Sequence, residues 1–465
     1  DAALNANDNI AIGGHALTNK TSGGNCVAIG SSAMNAATSA SNSVAVGASA
    51  LAANTTGGYN VAIGANALDA NTAGIENVAI GVHALGTQTS GAHYNTAVGH
   101  EAMKGNTTGD GNTAMGYKAL LDNTGADFNT AVGYHALLVN TTGANNTAIG
   151  RLSLDANTTA GGNTAVGGHS LGANTTGTYN VAVGGSALDA NTTASNNTAA
   201  GYNALGANTT GTGNAAVGQD SGLRVTTGST NVFVGREAGY QLTTASDNVF
   251  IGHLAGGSVT DRGHNIAIGR EALNHGNQTN GYRNLLIGNY TDTNATDSAD
   301  QIVLGYDVTG QADLTFTFGK GTSDTKCGFG STTWSNPSDE RMKKDITTST
   351  AGLSFINDLR PVTFKWKNKG DIPTGFRGYV KDSTNSCMEG ERSTTTNHGF
   401  IAQEVKTAID AHSELKDGFD MWGENSDGRQ TVGDSALTPM LVKAVQELSA
   451  QNEALSARIT TLENA

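Results

Sequence analysis

The chain has 465 residues and a formal net charge of −14; glycine is abundant, with 63 residues, whereas aromatic residues make up only 5%. The negative charge argues against a nucleic-acid groove or an anionic membrane surface as partner. No apolar run approaches the ~20 residues of a membrane-spanning helix, and three scattered cysteines are too few for a disulfide framework or a zinc site. We therefore expect no nucleic acid, membrane, metal or cofactor. The first residue is Asp1 rather than a methionine, so a preceding targeting or attachment segment is compatible with this sequence.

A five-residue word, Asn-x-Ala-x-Gly with β-branched residues at x, recurs between residues 9 and 305, as in Asn60–Gly64 and Asn163–Gly167. Its closing glycine returns eighteen times at a spacing of 17, with one step of 18 and one of 19. A leucine or methionine follows most of these glycines by four residues, and then comes Asn-Thr-Thr-Gly or a close variant. A strict short period of β-branched residues and glycine is typical of a β-solenoid with one coil per repeat.

The word also predicts which side chains share a face. Positions alternate with the two-residue period of a strand, so Val61 and Ile63 face one side and Ala62 the other. The alanine column is uniformly small, which favours a close neighbour there, such as a second chain around a three-fold axis. Where the column enlarges to Phe233 and Phe250, we expect the assembly to widen or repack. The leading asparagine, found at fifteen of eighteen positions, is expected to stack into amide ladders.

Other interpretations of the array compete with a structural one. His15, His83, His135 and His169 recur two residues after the glycine and would suit metal ligands at a trimer axis, although polar turn residues are the plainer explanation. Asn-x-Thr triplets match a glycosylation sequon, and regular threonine columns match an ice-binding face, but strict periodicity and β propensity account for both. Acidic residues are sparse and unpatterned, which disfavours the paired carboxylates of a glycosidase. The array is predicted to be a shaft or an adhesive surface.

The period fails after Gly305, and residues 306–337 are predicted to form a neck with a strand at 313–318. Three ordered motifs then follow: Ser338-Asp-Glu-Arg-Met-Lys343, Gly399-Phe-Ile-Ala-Gln-Glu-Val405 and Thr438-Pro-Met-Leu-Val-Lys-Ala-Val-Gln-Glu-Leu448. Together they resemble the S74 family, which consists of self-cleaving intramolecular chaperones at the C-termini of phage tail fibres and tailspikes. The repeat word resembles that of trimeric autotransporter adhesin heads, which are left-handed parallel β-rolls with a shorter period.

The S74 resemblance implies that Ser338 attacks the peptide bond that joins it to Pro337, and that Lys343 is the base. A serine hydroxyl is a poor nucleophile until a base takes its proton. A lysine serves as that base only when burial or a nearby positive charge lowers its pKa. Burial is expected from trimer assembly. Asp339, Arg341 and Lys344 are the expected supporting residues, and the two cations would supply the positive field.

A plainer interpretation is that Ser338 and Asp339 cap a helix while Lys343 is a solvated charge. The proline before the serine departs from what the reaction favours, because its rigid ring hinders attack. A structural trimer that does not cleave therefore stays open as an alternative.

The rest of the C-terminal part is predicted to be α+β. We expect a helix at 349–358, a strand at 361–366, a polar insertion at 368–397, and a strand leading into an amphipathic helix at 399–412, with Phe400 and Ile401 in the core. Residues 438–465 are predicted to form a coiled coil, since apolar residues alternate steps of four and three. A lone helix that packs on its own domain is the alternative. The predicted trimerisation residues are Leu441, Val445, Leu448, Asn452, Leu455, Ile459 and Leu462.

The predicted fold is mainly β: a trimeric parallel β-solenoid at 1–305, a neck at 306–337 and an α+β chaperone domain at 338–465. The expected protein is a homotrimeric phage tail fibre or tailspike, assembled in the host cytoplasm and carried on the virion. Its expected partners are a bacterial surface glycan or protein and other virion tail proteins, and self-cleavage is the only catalysis expected. The alternatives are a bacterial trimeric surface adhesin, which would need a membrane anchor, and a glycan-degrading tailspike, which would need converging carboxylates.

Overall fold

The computed structural model describes residues 8–89, 91–274, 281–331, 334–335, 338–388, 394–416 and 419–464. Two compact units are present, Asp1–Pro337 and Ser338–Ala465. The first unit confirms the predicted mainly β fold, because it is a parallel β-solenoid in which each repeat of about 17 residues forms one coil. None of the described helices is both long and apolar enough to cross a membrane.

Each coil contributes one short strand, and consecutive strands pair in parallel and in register. Val61 pairs with Val78 and Ala62 with Ala79, so equivalent positions of successive repeats stack in columns. The solenoid strands are β1 (Ile10–Ile12), β2 (Val27–Ile29), β3 (Val44–Val46), β4 (Val61–Ile63), β5 (Val78–Ile80), β6 (Thr96–Val98), β7 (Thr113–Met115), β8 (Thr130–Val132), β9 (Thr147–Ile149), β10 (Thr164–Val166), β11 (Val181–Val183), β12 (Thr198–Ala200), β13 (Ala215–Val217), β14 (Val232–Val234), β15 (Val249–Ile251), β16 (Ile266–Ile268), β17 (Leu285–Ile287) and β18 (Ile302–Tyr306).

The alanine column lies inside the coil, which corrects the prediction that a second chain approaches it. Ala62 is completely buried within its own chain, beside the equally buried Leu68 of the same coil. Val61 and Ile63 face outwards instead, and Ile63 is 39% exposed. The alanines are small because the coil is narrow and a leucine already fills its interior. The outward column of Val, Ile and Thr is apolar surface of the solenoid that a single chain leaves uncovered.

The coil is closed by backbone in the left-handed region. Gly64 has a φ of 133°, and a Cβ atom there would lie 2.6 Å from the carbonyl oxygen of Gly81 in the next coil. Glycine is therefore required both for conformation and for space. Four residues later, Leu68 also has a positive φ, of 53°. That conformation is unfavourable for a residue with a Cβ atom, and it turns the leucine side chain into the core.

Where larger residues replace alanine in the column, smaller residues replace leucine in the adjoining coils of the same chain. The interior volume is thereby kept, and the predicted widening of the assembly is not needed. Phe233 and Phe250 are completely buried. The leucine position of the adjoining coils is glycine at 222, 239 and 256. A Cβ atom at Gly239 would lie 2.4 Å from Cε1 of Phe233, so the ring occupies the space that leucine fills elsewhere.

The predicted amide ladder is confirmed for the leading asparagines. Asn60 Oδ1 accepts a hydrogen bond from the backbone amide of Asn77 at 3.0 Å, and Asn60 Nδ2 donates to the carbonyl of Gly74 at 2.8 Å. A second buried amide column runs seven residues after the glycine and reaches Asn208. The next coil has Val225 at that position, so Asn208 Oδ1 is a buried acceptor without a partner among the described residues.

The neck ends the solenoid by changing from parallel to antiparallel pairing. Strand β19 (Thr315–Lys320) lies parallel to β18, whereas β20 (Ser323–Gly328) and β21 (Trp334–Ser335) continue the sheet antiparallel. The predicted strand at 313–318 is thus present with slightly shifted bounds. The Trp334 ring meets those of Phe316 and Phe318 edge to face, at centroid distances of 5.5 and 5.3 Å.

The second unit is α+β. Its helices and strands are α1 (Leu353–Asp358), β22 (Val362–Phe364), β23 (Asn397–Gly399), α2 (Ala402–Ala411), β24 (Trp422–Glu424), β25 (Gln430–Val432) and α3 (Leu437–Glu463), with single 3-10 turns at Glu340–Met342, Ser413–Leu415 and Asp434–Ala436. Its core contains Ala351, Phe355, Val405, Ala408, Ile409, Leu415, Met421, Leu437 and Met440. Helix α1 begins later than predicted, after Gly352.

The predicted core pair Phe400–Ile401 is only half right. Phe400 is partly buried and packs against the core. Ile401 is 37% exposed, so its predicted place in the core is wrong. Ile401 has extended backbone and precedes the first residue of α2. Adjacent side chains of an extended segment point in opposite directions, which turns Ile401 outwards when Phe400 points inwards.

Candidate functional site

The second unit opens with a contact between Ser338 and Lys343. A single 3-10 turn, Glu340–Met342, folds the chain back so that Lys343 Nζ donates a hydrogen bond to Ser338 Oγ at 2.7 Å. The turn is closed by the backbone amide of Lys343, which donates to the carbonyl of Glu340 at 3.0 Å. The two residues that the S74 resemblance names as nucleophile and base are therefore brought together. Pro337 lies outside the described residues.

Asp339 holds this turn in place. Its Oδ1 atom accepts hydrogen bonds from the backbone amide of Arg341 and from Arg341 Nε, each at 2.9 Å. The guanidinium beside it holds the pKa of the Asp339 carboxyl below its usual range. Arg341 was predicted to supply positive charge to Lys343, but the Asp339 carboxylate compensates that charge. Lys344 is exposed and forms no ion pair with the described residues. The helix-capping interpretation thus holds for Asp339, while Ser338 makes a separate contact with Lys343.

The site of a single chain is open to solvent. Ser338, Asp339 and Lys343 are all exposed. The hydrogen-bond geometry of a serine–lysine pair is present, but the surroundings that convert a lysine into a base, burial or an uncompensated neighbouring cation, are not supplied by these residues alone.

The comparisons with known proteins bear on this part of the chain. The family model of peptidase S74, described as the chaperone of endosialidase, matches residues 338–413. Residues 338–413 are an S74 domain. No curated protein and no solved structure matches the chain. The match begins at Ser338 and includes Lys343 and Gly399–Val405, whereas the predicted third motif, at 438–448, lies beyond its end.

The segment after the S74 match nevertheless packs on the S74 domain. On α3, Met440 and Ala444 are buried in the unit. Glu447, one turn further, accepts a hydrogen bond from the backbone amide of Leu353 at 2.8 Å and so caps α1. Gly352 has no side chain to cap this helix, and a Cβ atom there would lie 2.7 Å from Glu447 Oε2. Sequence reasoning missed this contact, for which a glycine just before a short helix is the available signal.

His412 is a second feature that sequence reasoning missed. Its Nε2 atom lies 2.9 Å from Asp358 Oδ2, and its Nδ1 atom lies 3.4 Å from Glu414 Oε1. The ring also meets Phe355 edge to face at 5.4 Å. The hydrogen bond to Asp358 raises the pKa of His412, with Glu414 adding to the effect and burial opposing it. The imidazole therefore links the end of α1 to the end of α2.

The predicted trimerisation residues form an uncovered stripe on α3. The six apolar members are 44–70% exposed, and Asn452 is exposed as well. The residues of α3 that do pack on the unit are different ones, namely Leu437, Met440 and Ala444. The first turns of α3 thus pack on their own domain, as the lone-helix alternative expects, and the coiled coil of the stripe stays a prediction.

The alternative interpretations of the array can be compared with the described solenoid. No three His, Cys, Asp or Glu side chains converge as metal ligands anywhere in the described ranges. Two of the four recurring histidines contact other side chains: His135 stacks on Tyr134 at 3.9 Å, and His169 Nε2 lies 2.7 Å from Arg151 Nη2. The threonine columns bond along the axis, as when Thr55 Oγ1 donates to the carbonyl of Thr72 at 2.9 Å.

Proposed function

We propose that the chain is the subunit of a homotrimeric tail fibre or tailspike-like protein of a phage, and that its S74 domain drives trimerisation and is then released by self-cleavage before Ser338. The observation that carries this proposal is the 2.7 Å contact between Lys343 Nζ and Ser338 Oγ. It lies at the first residues of an S74 domain that follows directly on a β-solenoid and its neck.

The chemistry needs only residues of this chain and water. Once Lys343 is neutral, its amine accepts the proton of Ser338 Oγ, and Oγ attacks the carbonyl carbon of Pro337. The bond from that carbon to the Ser338 nitrogen breaks, and the nitrogen takes up the proton to become the new α-amine. An ester between Pro337 and Ser338 Oγ remains, and water hydrolyses it. The products are a solenoid ending in a carboxylate and a free S74 domain.

Cleavage is coupled to assembly in this proposal. The serine–lysine contact is made within one short turn, so it forms in each chain by itself. Lys343 stays exposed there, and desolvation is what makes lysine a base. Packing of three chains around the site supplies the burial, so that cleavage follows correct assembly. Release then removes the element that aligned the chains, which makes the assembled state kinetically stable.

Two uncovered apolar surfaces support the trimer. One is the outward face of the solenoid strands, including Ile63 at 39% and Ile149 at 40% exposed, which at ~4.8 Å per coil runs for roughly 85 Å. The other is the α3 stripe. Contiguous apolar surface of this extent is rare on monomeric proteins and marks interaction sites. Parallel sheets fold slowly, and joining three chains at one end raises their effective concentration.

The proposed setting is the virion. The trimer would be assembled in the host cytoplasm, attach to other tail proteins, and engage a glycan or protein of the bacterial surface through exposed side chains of the solenoid. The second candidate is a structural trimer that does not cleave. The observation that favours it is the solvent exposure of Lys343.

The test is the intact mass of the purified full chain beside Ser338→Ala and Lys343→Ala variants. We expect the wild type to give two fragments that meet between residues 337 and 338, and both variants to stay whole. A wild type that stays whole as an assembled trimer would reject self-cleavage and leave the S74 domain as a permanent trimerisation cap.

A further inference from the structure

One surface column of the solenoid has an unusual backbone requirement. The residue just before the leading asparagine has a φ between 53° and 72° in all eighteen coils. This left-handed conformation favours Gly, Asn and Asp, and those three residue types occupy ten of the eighteen positions. Four positions carry large aromatic residues instead: Tyr59, Tyr94, Phe128 and Tyr179.

These aromatic residues contribute little to the folded core. Their side chains are 62%, 58%, 64% and 68% exposed, in chain order. An aromatic ring held on a left-handed backbone and left in water is unfavourable twice, through conformation and through exposed apolar area. Local strain that the fold does not need is a signal of function. The solenoid interior takes none of these rings, so their value lies on the surface.

Three of the four are evenly spaced. Tyr59, Tyr94 and Phe128 precede β4, β6 and β8, so neighbouring rings are two coils, or about 10 Å, apart along the axis. The coil between the last two has Gly111 in the column, where a Cβ atom would lie 2.9 Å from Cδ1 of Phe128. The missing side chain thus gives the Phe128 ring room beside the preceding coil.

Carboxylates accompany the rings. Asp110 and Asp127 precede the column position in the two coils that carry Gly111 and Phe128. Asp110 Oδ1 accepts a hydrogen bond from the backbone amide of His93 at 2.6 Å, and Asp127 Oδ1 accepts one from that of Asp110 at 2.8 Å. Each carboxylate is therefore oriented by a backbone amide of the preceding coil, and its second oxygen has no partner among the described residues. Glu76 adds a third carboxyl between Tyr59 and Tyr94.

We propose that Tyr59, Tyr94 and Phe128 form a binding site for a neutral, hydroxyl-rich glycan chain that lies along the solenoid axis. The C–H faces of alternate sugar rings pack on the aromatic rings, and sugar hydroxyls donate to Asp110 and Asp127. The spacing of two coils suits about one disaccharide per aromatic residue. The three carboxyl groups disfavour an anionic glycan by repulsion. The bacterial surface as the source of this glycan rests on the function proposed above, whereas the site rests on the column itself.

The test replaces Tyr59, Tyr94 and Phe128 together by asparagine. Asparagine is a common residue of this column, so the triple variant should fold at least as well as the wild type. Tyr202→Asn is the matched control. Tyr202 is 58% exposed, but it follows the closing glycine and so lies beyond the opposite end of the strand from the aromatic column. Retardation of the full chain is measured in native gels that contain dextran, mannan, galactan or xylan, with polygalacturonate as the anionic probe.

We expect at least one neutral polysaccharide to retard the wild type and the Tyr202→Asn variant. The triple variant should bind that polysaccharide at least tenfold more weakly, and polygalacturonate should retard none of these proteins. Failure of all four neutral polysaccharides, preference for polygalacturonate, or equal binding by the triple variant overturns the site. Sedimentation of the same samples separates this result from the proposed function. A wild-type trimer that binds no neutral glycan rejects only the glycan site. A monomeric wild type rejects the proposed trimeric fibre. A triple variant that no longer forms the wild-type trimer assigns these rings to the subunit interface instead.

Discussion

Lys343 Nζ lies 2.7 Å from Ser338 Oγ, although neither side chain is buried and only one 3-10 turn separates them. The contact depends on local backbone and on the Asp339–Arg341 pair, which fixes the turn. Positioning and activation of the pair are thus separate problems in this chain. The first is solved within six residues, and the second requires a change in the surroundings of Lys343.

Replacement of Lys343 by arginine tests whether the lysine acts as a base. Arginine keeps the positive charge and the hydrogen-bond donors but does not give up its proton in proteins. We expect Lys343→Arg to remain uncleaved over a time in which the wild type is processed, which corresponds to a loss of at least 100-fold in rate. Intact mass of the full chain over time is the measurement. Lys344→Arg, at the exposed neighbouring lysine, should be cleaved like the wild type; equal cleavage of both variants would show that Lys343 only positions the serine.

The exchange of volume around Phe233 predicts strong coupling between coils. A leucine at Gly239 would overlap the Phe233 ring, and overpacking of this kind costs roughly 3 kcal/mol of stability. Phe233→Ala and Phe250→Ala should each cost about 3–5 kcal/mol by leaving cavities. Phe233→Ala together with Gly239→Leu restores the alanine–leucine pair of one regular coil, so the combined cost of these two changes should fall well below the sum of their separate costs.

Urea unfolding of the full chain measures these changes in stability. Gly14→Ala is the control, because a Cβ atom at Gly14 meets nothing within 4 Å and should change stability by less than about 0.5 kcal/mol. Additive costs in the double variant Phe233→Ala, Gly239→Leu would mean that the Phe233 ring and a side chain at position 239 do not share one space.

Much of the solenoid was predictable because its period is carried by single residue types with single causes. The closing glycine, one strand per repeat and the stacked asparagines were each inferred from the word, and each is present. The direction of the alanine column was not predictable in the same way. Alternation shows that Ala62 and Ile63 point to opposite sides, but a small residue suits a narrow coil interior and a close neighbouring chain equally well.

The S74 domain was predictable from motifs, whereas its internal contacts were not. Ser338 and Lys343 are five residues apart, so their contact follows from one local turn. Glu447 and Leu353 are 94 residues apart, and His412 and Asp358 are 54 apart. No periodicity links such pairs, because each depends on how helices pack on the core. Leu441 and Met440 show the same limit, since both are apolar but only Met440 faces the domain.

The α3 stripe predicts a trimer that depends on exposed side chains. Leu455 and Ile459 are 55% and 54% exposed in one chain, so changing both to aspartate should leave the fold of each unit intact. Three such helices would then place six carboxylates in one seam, and we expect the trimer to be lost at micromolar concentration. Light scattering after size-exclusion chromatography of the full chain in a Ser338→Ala background, which keeps α3 attached, gives the molar mass.

Aspartate at Ala450 and Ala457, on the opposite side of the same helix, is the matched control for this experiment. Both positions are exposed, and the double control should remain trimeric. Loss of the trimer in both pairs would point to a general loss of helix stability rather than to a seam.

His412 predicts that the second unit loses stability as pH rises. The pKa of His412 is raised by its hydrogen bond to Asp358. The ring therefore binds its proton more strongly in the folded state than in the unfolded state. This contribution is fully present below the unfolded pKa of about 6.5, and it is lost as pH increases through the higher folded value.

Urea unfolding is followed by tryptophan fluorescence in a Trp334→Phe, Ser338→Ala background, which leaves Trp366 and Trp422 as reporters of the second unit in an uncleaved chain. We expect the free energy of unfolding to fall as pH rises above about 6.5, and His412→Gln to flatten that slope. His398→Gln, at an exposed position of β23, should keep the slope of the background chain, and a His412→Gln variant with an unchanged slope would mean that another group causes it.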